Sequence, residues 1–299
     1  MKNKSKKRVA IVVVTYNRLQ DLKICIDAIG KQTFTDFDII VVNNGSTDGT
    51  KEYLEKQDNV ISIHQDNVGG AGGFYTGMKY MYDNGYEWLL MMDDDGIPAP
   101  RELEELLNAY DEAFAINNHD VILNALVINK ENRDFTAFLW ARGSNRSNNI
   151  AELQKEKFIL DIHPFNGTLI KREVIENIGF IKREMFIWGD EEEYITRARS
   201  KGILSYTVTS AVHYHPKEKG LKGYLLPWSK KYFILIKPVK MSHYYYRNKG
   251  YIYSTYKEKH SHIFPFLIAN TVYDLTRLRF REIFKLYKYF YRGCRNNYN

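Results

Sequence analysis

Short hydrophobic runs alternate with helical patterns along the first half of the chain. The run from Val9 to Thr15 is dominated by β-branched residues, which is typical of a strand buried on both faces of a sheet. Similar runs bounded by turn residues predict strands at 37–42, 60–63 and 86–92. Apolar residues at helical spacing predict helices at 22–29, 47–57 and 74–84.

The alternation continues beyond Pro100, although residues 129–160 show no clear pattern. It predicts helices at 102–114, from Arg172 and at 190–201, and strands at 121–128, 162–170 and 204–212. Four βα units in the first half predict an α/β fold, with a mostly parallel sheet and helices on both faces. Ligands of such sheets bind beyond the carboxyl ends of the strands, so we expect the site in those loops.

Three consecutive carboxylates, Asp93, Asp94 and Asp95, follow the fourth predicted strand. Adjacent carboxylates repel one another, so a cation among them would relieve a cost in stability. Hard divalent ions held by one or two carboxylates complete their shell with phosphate oxygens and water. The cluster therefore predicts a metal–diphosphate site at a strand end, with a solvated acidic turn as the alternative.

A glycine-rich segment follows the third predicted strand. After Asn67 it contains Gly69, Gly70, Gly72 and Gly73. Backbone amides without side chains can approach a ligand closely, and a helix that begins just after them favours phosphate. We expect an anion-binding loop, whose spacing fits neither the dinucleotide fingerprint nor the P-loop; a loop without a role is the alternative.

Tyr16 and Arg18 follow the first predicted strand. A guanidinium at this strand end can bind a phosphate with two hydrogen bonds, and an aromatic ring can stack on a base. The alternative is a helix cap with a solvated arginine.

A second acidic run comes directly after Trp188 and Gly189. Its members are Asp190, Glu191, Glu192 and Glu193. Acidic residues in a first helical turn complement the helix dipole, and Glu193 can pair with Arg197. The more specific hypothesis is a general base that takes a proton from an attacking hydroxyl, with Trp188 packed against a sugar.

His213 and His215 follow the last predicted strand. Two residues apart, they point to the same face of a strand. One of them could complete the shell of a metal held by Asp93 and Asp95; an ordinary surface histidine is the alternative.

Charge divides the chain unevenly, although 44% hydrophobic and 26% charged residues are ordinary for a globular protein. From residue 220 onward, 16 Lys and Arg accompany 3 Asp and Glu, a net charge of +13; the first 219 residues carry −6. No run of 18 apolar residues predicts a transmembrane helix, and the two cysteines predict no disulfide framework. The aromatic, basic end is expected to contain an amphipathic helix that lies on anionic lipid, or a helical subdomain packed on the sheet. No nucleic-acid motif is present.

Together these motifs resemble those of the inverting family 2 glycosyltransferases, which have a GT-A type fold. The resemblance covers about residues 8–215, and the segments 12–18, 41–50 and 93–95 match the opening motifs in order and spacing. The glycine segment, the aspartates and the Trp188 segment are most similar to the galactofuranosyltransferase branch, and rhamnosyltransferases share much of this. The segment 244–248 is similar to the helical C-terminal part of that branch.

The resemblance implies that Asp93 and Asp95 hold Mn²⁺ or Mg²⁺ on the diphosphate. It implies His213 as the third ligand, with His215 as the alternative. Counting back from the arginine that follows the acidic run, it implies Glu191 as the base, with Asp190 as the alternative.

The resemblance also implies the residues that line the nucleotide sugar. Asn44 stands where the family usually has an aspartate that contacts uracil. The full expected set is Thr15, Tyr16, Arg18, Asn44, Asn67, Gly69, Gly70, Gly72, Gly73, Asp94 and Trp188.

We expect a catalytic domain over 1–219 and a basic, aromatic helical region over 220–299. The expected reaction is transfer of galactofuranose from UDP-galactofuranose to a hydroxyl of a surface glycan or lipid-linked precursor. A dTDP-rhamnose-dependent rhamnosyltransferase and a non-catalytic nucleotide-sugar binder are the alternatives. The expected location is cytoplasmic, peripheral at the inner face of the plasma membrane, with no nucleic-acid partner.

Overall fold

The computed structural model describes residues 7–140, 146–217 and 221–298. The chain divides into two compact units, Met1–Arg183 with Arg197–Glu218, and Glu184–Thr196 with Lys219–Asn299. The short segment that contains the second acidic run therefore groups with the C-terminal residues.

The first unit contains a mixed sheet and the helices that cover it. Its strands are β1 (Val9–Thr15), β2 (Phe37–Asn43), β3 (Val60–His64), β4 (Trp88–Asp93), β5 (Ile97–Pro98), β6 (Val121–Asn129), β7 (Phe158–Ile159), β8 (Thr168–Lys171) and β9 (Leu204–His215). Its helices are α1 (Leu19–Ile29), α2 (Thr50–Leu54), α3 (Gly69–Asp83), α4 (Glu102–Asn117), α5 (Ile150–Leu153) and α6 (Arg172–Ile178). Helix α7 (Asp190–Ser200) begins in the second unit and ends in the first.

The sheet order among the described residues is β3-β2-β1-β4-β8-β6-β9-β5, and β7 also pairs with β9. β3, β2, β1 and β4 are mutually parallel, and so are β6 and β9. β8 runs antiparallel between β4 and β6, so its first residues lie next to the carboxyl end of β4. The predicted α/β fold, with a mostly parallel sheet covered by helices, is confirmed.

Both faces of the sheet are covered because the side chains of a strand alternate. Val9, Ile11 and Val13 of β1 join one core with α1 and α4. The intervening residues face α3, where a Cβ on Gly73 or Gly77 would collide with Val14 or Val12. The β-branched run at the start of the chain is therefore buried on both sides, as predicted.

Helix α3 differs from its prediction because it begins at Gly69 rather than near residue 74. The glycines form its first turns instead of a loop before it. Gly72 and Gly73 are buried, and a Cβ there would lie 2.4 Å from Val68 Cγ2 and 2.5 Å from Val14 Cγ1, respectively. Because these glycines lack side chains, the helix packs closely against Val68, the residue before its first turn, and against the sheet.

The second unit begins with a hairpin that the sequence analysis does not predict. Its elements are the antiparallel strands β10 (Leu221–Leu226) and β11 (Ser229–Ile236), and the helices α8 (Ser242–Thr255), α9 (Ile263–Leu275) and α10 (Phe280–Cys294). Helices α8 and α10 touch through their backbones, since a Cβ on Gly250 would lie 2.0 Å from Phe290 O and one on Gly293 would lie 1.9 Å from Arg247 O. In the described parts of the chain, none of the helices is long and apolar enough to cross a bilayer.

Candidate active site

The carboxyl ends of β1, β2 and β4 bring several side chains predicted for the site to one edge of the sheet. Val14 pairs with Asp93, and Thr15 pairs with Asn43. The aspartate triplet therefore turns away from β4 at the level where β1 ends. This edge carries the acidic cluster, as the sequence predicts.

Asp94 is the internal anchor of this turn. Its carboxylate is 3% exposed and accepts hydrogen bonds from Thr15 Oγ1 at 2.7 Å, Arg18 Nη1 at 3.1 Å and Tyr16 N at 3.4 Å. Burial raises the pKa of Asp94 to about 6, although the bonds from Thr15 and Arg18 act in the opposite direction. Asp94 thus orders the segment after β1 and has little surface to offer a ligand.

Asp93, Asp95 and His215 form a group with the composition of a metal site. One ligand atom from each of these residues lies within 4.8 Å of the others. Two carboxylates and one imidazole can hold Mn²⁺ or Mg²⁺ and leave positions for phosphate oxygens and water. Burial raises the pKa of Asp95, but His215 and Arg18 lower it by more, so this carboxylate stays ionised.

The position of His215 allows a cation beside Asp95. Its Nδ1 lies 2.7 Å from Pro216 O, a pure acceptor, so Nδ1 carries the proton and Nε2 keeps a lone pair in the neutral ring. Nε2 lies 3.1 Å from Asp95 Oδ1, a buried atom without a hydrogen-bond partner in the described residues. Two acceptors at this distance need a proton or a cation between them, so the donor set fits a divalent ion.

The structure does not bring His213 to the aspartates, and this corrects the first choice of third ligand. His213 and Glu102 are both fully buried, with His213 Nδ1 3.0 Å from Glu102 Oε2. Gly96 and Gly167 make room for this pair, because a Cβ on Gly96 would lie 2.3 Å from His213 Nε2 and one on Gly167 would lie 2.6 Å from Glu102 Oε1. His215, two residues further along β9, is the histidine that reaches Asp95.

Asn44 also differs from its expected role. The side chain is 2% exposed, and its amide donates to Gly69 O at 3.0 Å and to Asn67 Oδ1 at 3.4 Å. Its carbonyl oxygen accepts from Gln65 Nε2 at 2.9 Å and Val68 N at 3.2 Å. These bonds use both amide hydrogens and both lone pairs of the side chain. Asn44 therefore holds the start of α3 in place and has no hydrogen-bonding group left for a base.

Only some of the residues predicted to bind an anion are accessible at the start of α3. Asn67 is exposed, and its carbonyl oxygen accepts from Gly69 N at 2.9 Å. Gly69 has φ +77°, and a Cβ on Gly70 would meet nothing within 4 Å. Asn67 and Gly70 thus stay accessible at the helix N-terminus, whereas Gly72 and Gly73 are buried in packing.

Tyr16 and Arg18 are the exposed members of the predicted nucleotide set. The Tyr16 side chain is 47% exposed. Arg18 Nη1 bonds Asp94 and lies 2.7 Å from Asp95 Oδ2, while half of its side chain remains exposed. An exposed ring and a half-exposed guanidinium beside the acidic group are suited to a base and a diphosphate.

The sequence analysis misses an aromatic wall beside His215. The Phe138 ring lies 4.7 Å from His215 and 5.5 Å from His163, and Trp140 stacks on His163 at 4.3 Å. His163 Nε2 is buried without a hydrogen-bond partner in the described residues. Phe138 and Trp140 come from the region without a clear pattern, where their closely spaced aromatic rings were the available indication.

Asn166 is a second residue that the sequence analysis misses. It precedes Gly167, whose N–H donates to Met91 O at 3.0 Å, so this loop lies beside the turn into the aspartates. The side chain is 5% exposed, and Asn166 Oδ1 has no hydrogen-bond partner in the described residues. Buried polar atoms are rarely left unsatisfied, so the loop offers polar positions suited to ligand hydroxyls.

The second acidic run has partners within its own unit. Lys249 pairs with Glu192, and Tyr256 donates its hydroxyl to Glu193 Oε1 at 2.5 Å. Burial lowers the pKa of Lys249, but Glu192 raises it by more, so the lysine stays charged. These two acids therefore contribute to the fold, while Asp190 is 4% exposed and Glu191 is partly buried at the start of α7.

The turn before this run is held in an unusual backbone conformation. Phe186 and Trp188 have φ +66° and +60°. Asn248 Nδ2 contacts the carbonyl oxygens of Met185, Ile187 and Trp188 at 2.9, 3.0 and 3.1 Å, and Asn248 is fully buried. Non-glycine residues at positive φ cost energy and persist where their surroundings enforce them. The role of Asn248 in the 244–248 motif is to fix the turn that presents Asp190 and Glu191.

The sheet and the acidic cluster after β4 agree with the fold and motifs expected of a sugar transferase. Residues 10–179 match the Glycosyl transferase family 2, and the chain belongs to this family. It is therefore a glycosyltransferase, as the motifs predict.

Among known proteins, the chain is similar to galactofuranosyltransferase GlfT1. The Mycolicibacterium smegmatis protein is 28% identical over 218 residues, which is 70% of this chain and 70% of that protein. The Mycobacterium tuberculosis protein is 29% identical over 213 residues, 69% of each. The undecaprenyl-phosphate mannosyltransferase of Micrococcus luteus is 30% identical over 107 residues, 34% of this chain and 44% of that protein.

The fold is similar to that of S. aureus TarS. The 1–349 fragment has a TM-score of 0.53 and 17% identity, with 82% of this chain covered. The same fragment in complex with UDP-GlcNAc has a TM-score of 0.53 and 16% identity. The chain spans less than two thirds of these structures, 64% and 65% respectively. The likeness establishes the GT-A type fold.

Proposed function

We propose that the protein transfers galactofuranose from UDP-galactofuranose to a hydroxyl of a cell-surface polysaccharide or lipid-linked glycan precursor, with inversion at the anomeric carbon. The observation that carries the proposal is the group of Asp93, Asp95 and His215 at the end of β4. The similarity to two galactofuranosyltransferases over about 70% of the chain supports the choice of sugar.

The donor is proposed to bind at the carboxyl edge of the sheet. Tyr16 stacks on the base, Arg18 binds the diphosphate, and the backbone at Gly69 and Gly70 contacts a phosphate. Asn44 and Asp94 act as positioning residues, because both are buried and bonded to the segments that touch the donor. Arg18 would exchange part of its pairing with the aspartates for pairing with phosphate oxygens, a stronger bidentate arrangement.

Asp93, Asp95 and His215 would hold Mn²⁺ or Mg²⁺ against the diphosphate. When bound, the cation supplies positive charge that stabilises the departing nucleoside diphosphate. The cation would also satisfy Asp95 Oδ1 and His215 Nε2, the two acceptor atoms that otherwise face each other.

Glu191 is proposed as the general base, with Asp190 as the alternative. A base removes the proton from the acceptor hydroxyl as its oxygen attacks the anomeric carbon. The bond to the diphosphate oxygen breaks on the opposite side, so one displacement inverts the configuration. Both residues lie in the first turn of α7, directly after the turn that Asn248 fixes, which supports the choice.

His163 and Asn166 are proposed to bind sugar hydroxyls beside the metal. Each has a buried polar atom without a hydrogen-bond partner among the described residues, and a hydroxyl can both donate and accept. Trp140 stacks on His163 and fixes its ring plane.

The test is a transfer assay with the full chain, Mn²⁺ and a panel of nucleotide sugars. We expect UDP-galactofuranose to be consumed with release of UDP, and EDTA to abolish the reaction. UDP-galactopyranose, with the same base and a different ring, is the matched control and should react far more slowly. Preference for dTDP-rhamnose would favour the rhamnosyltransferase alternative. Binding of UDP without turnover of any donor would favour the non-catalytic alternative.

A further inference from the structure

Helix α10 exposes an apolar stripe along its whole length. Phe280, Phe284, Tyr287 and Tyr291 are 60%, 70%, 47% and 55% exposed, at the spacing of one helical face. A different face of the same helix is buried, since Leu286 is fully buried and Phe290 is 5% exposed. The exposed aromatic residues are therefore additional to those that hold the helix in the unit.

Helix α9 continues this apolar surface. Phe264, Ile268 and Leu275 are 74%, 60% and 51% exposed on one face, while Tyr273 is buried on another. Thr271 Oγ1 lies 3.1 Å from Tyr287 OH, which joins the α9 face to the α10 stripe. We call the surface formed by these seven apolar or aromatic residues and Leu278 of the connecting turn the α9–α10 surface. Soluble monomers rarely expose contiguous apolar patches of this kind without a partner.

Leu278 is exposed to solvent although its backbone conformation costs energy for a leucine. It is 75% exposed and has φ +56°. A leucine in the left-handed region is strained, and glycine or asparagine would fit the turn better. The stability of the unit does not explain an exposed leucine at this position.

Basic residues line one flank of the α9–α10 surface. Arg281 and Lys288 are exposed on α10 about 100° around the helix from the apolar stripe. Two neighbouring cations are used inside the unit, since Lys285 bonds Val239 O and Arg277 donates to Tyr224 O and Tyr273 O. An apolar face bordered by exposed cations matches a bilayer whose apolar layer lies beneath anionic headgroups.

We infer that the α9–α10 surface docks on an anionic lipid membrane. The apolar stripe enters the headgroup boundary while Arg281 and Lys288 remain at the level of the phosphates. A second copy of the chain fits less well, because two regions that each carry a net charge of +13 from residue 220 onward would repel one another. The net charge of +13 from residue 220 onward adds a long-range attraction to the same partner.

Vesicle flotation of the full chain tests the inference. The probes are vesicles of phosphatidylcholine mixed with phosphatidylglycerol, and vesicles of phosphatidylcholine alone. We expect binding to the mixed vesicles, weaker binding as salt is raised, and little binding to the neutral ones. Binding that depends neither on lipid charge nor on salt would contradict the role of the basic residues in the inference.

Two matched pairs of variants test the named residues. Phe284→Ser should weaken binding about tenfold or more, because it removes a side chain that would leave water, whereas Ile116→Ser, an equally exposed site on α4, should not. Arg281→Gln with Lys288→Gln should weaken binding about thirtyfold, whereas Lys56→Gln with Lys201→Gln removes the same charge and should have a small effect.

Leu278→Gly separates folding from docking. It should weaken vesicle binding while the midpoint of unfolding stays the same or rises, since the turn loses its strain. Vesicle binding unaffected by Leu278→Gly and Phe284→Ser would overturn the inference. So would sedimentation as a dimer that Phe284→Ser dissociates, because a second copy would then cover the surface. These assays need no donor turnover, so their failure would leave the proposed sugar transfer untouched.

Discussion

The two acidic clusters of this protein have similar sequences and opposite surroundings. In the first unit, Asp95 faces His215 through a buried oxygen without a hydrogen-bond partner in the described residues. In the second unit, Glu192 faces Lys249 and Glu193 accepts a hydroxyl hydrogen. The first cluster pairs with the half-exposed Arg18 and with His215 and has the composition of a metal site, whereas the second is partly neutralised from within by a lysine and a tyrosine of its own unit.

The difference indicates that the residues opposite an acidic cluster decide its role. Repulsion between carboxylates is relieved by a cation in both cases. A lysine relieves it permanently and stabilises the fold, while an exchangeable metal ion relieves it only when bound and can also bring a diphosphate. Asp190 and Glu191, at the start of α7, are the acids of the second cluster that we propose for proton transfer to a substrate.

Asp95→Ala should produce the largest effect, because it removes a metal ligand and a partner of Arg18 together. We expect a loss of transfer on the order of a thousandfold or more. Stabilisation by UDP with Mn²⁺, measured as a shift in melting temperature, should also disappear. Glu192→Gln removes the same charge from the other cluster and should keep the Mn²⁺-dependent shift. Unchanged metal-dependent turnover of Asp95→Ala would contradict the metal site.

Glu191→Gln should come next, since it preserves the shape of the side chain and removes its basicity. Loss of a general base lowers kcat by about a hundredfold to ten-thousandfold while donor binding is kept. Steady-state kinetics with varied donor would show this as a change in kcat at constant KM. Asp190→Asn is the matched variant. If Asp190→Asn loses turnover and Glu191→Gln keeps it, the base is Asp190.

Patterns within the local sequence were sufficient to predict the first parallel strands of the sheet and the position of the aspartates. The run from Val9 to Thr15 is a strand with those bounds, and the triplet lies at the end of the next parallel neighbour. Both follow from patterns within a few residues. The choice between His213 and His215 depended on how far β9 extends past the aspartates, which is set by long-range pairing with β6.

Residues whose chemistry serves two purposes were harder to assign. A glycine can admit a ligand or a neighbouring strand, and Gly72 and Gly73 turned out to admit Val68 and Val14. An asparagine can recognise a base or bond the backbone, and Asn44 bonds the start of α3. Sequence shows the capacity of a side chain, and only its neighbours show how the capacity is used.

Lys249→Met should destabilise the second unit by about 2–3 kcal/mol. The Lys249 and Glu192 side chains are 13% and 31% exposed, so the cost lies between that of a surface pair and that of a fully buried one. Urea unfolding would measure it, and adding Glu192→Gln should recover part of the loss because the stranded charge is removed. Lys79→Met, which breaks an exposed pair on α3, is the control and should have little effect. Equal stability of Lys249→Met and the wild type would mean that the second cluster is not neutralised from within.

The smallest expected effect is the pH dependence that His163 gives to the first unit. Burial lowers the pKa of His163 to about 4, from an ordinary value near 6.5. The folded state resists protonation while the unfolded chain accepts it, so stability is full above pH 6.5 and is lost as the pH falls toward 4. Between pH 7.5 and 5.5 this contribution should fall by about 1 kcal/mol, measured as the difference from His163→Gln, in which Asp94, with a pKa of about 6, titrates in the same way. Glu192 has a lowered pKa, so its contribution is lost only below about pH 4.5, outside this window. Urea unfolding of the wild type and of His163→Gln at the two pH values measures this contribution. The same change in stability with pH for both proteins would mean that the His163 ring, beside the proposed metal site, is not held neutral.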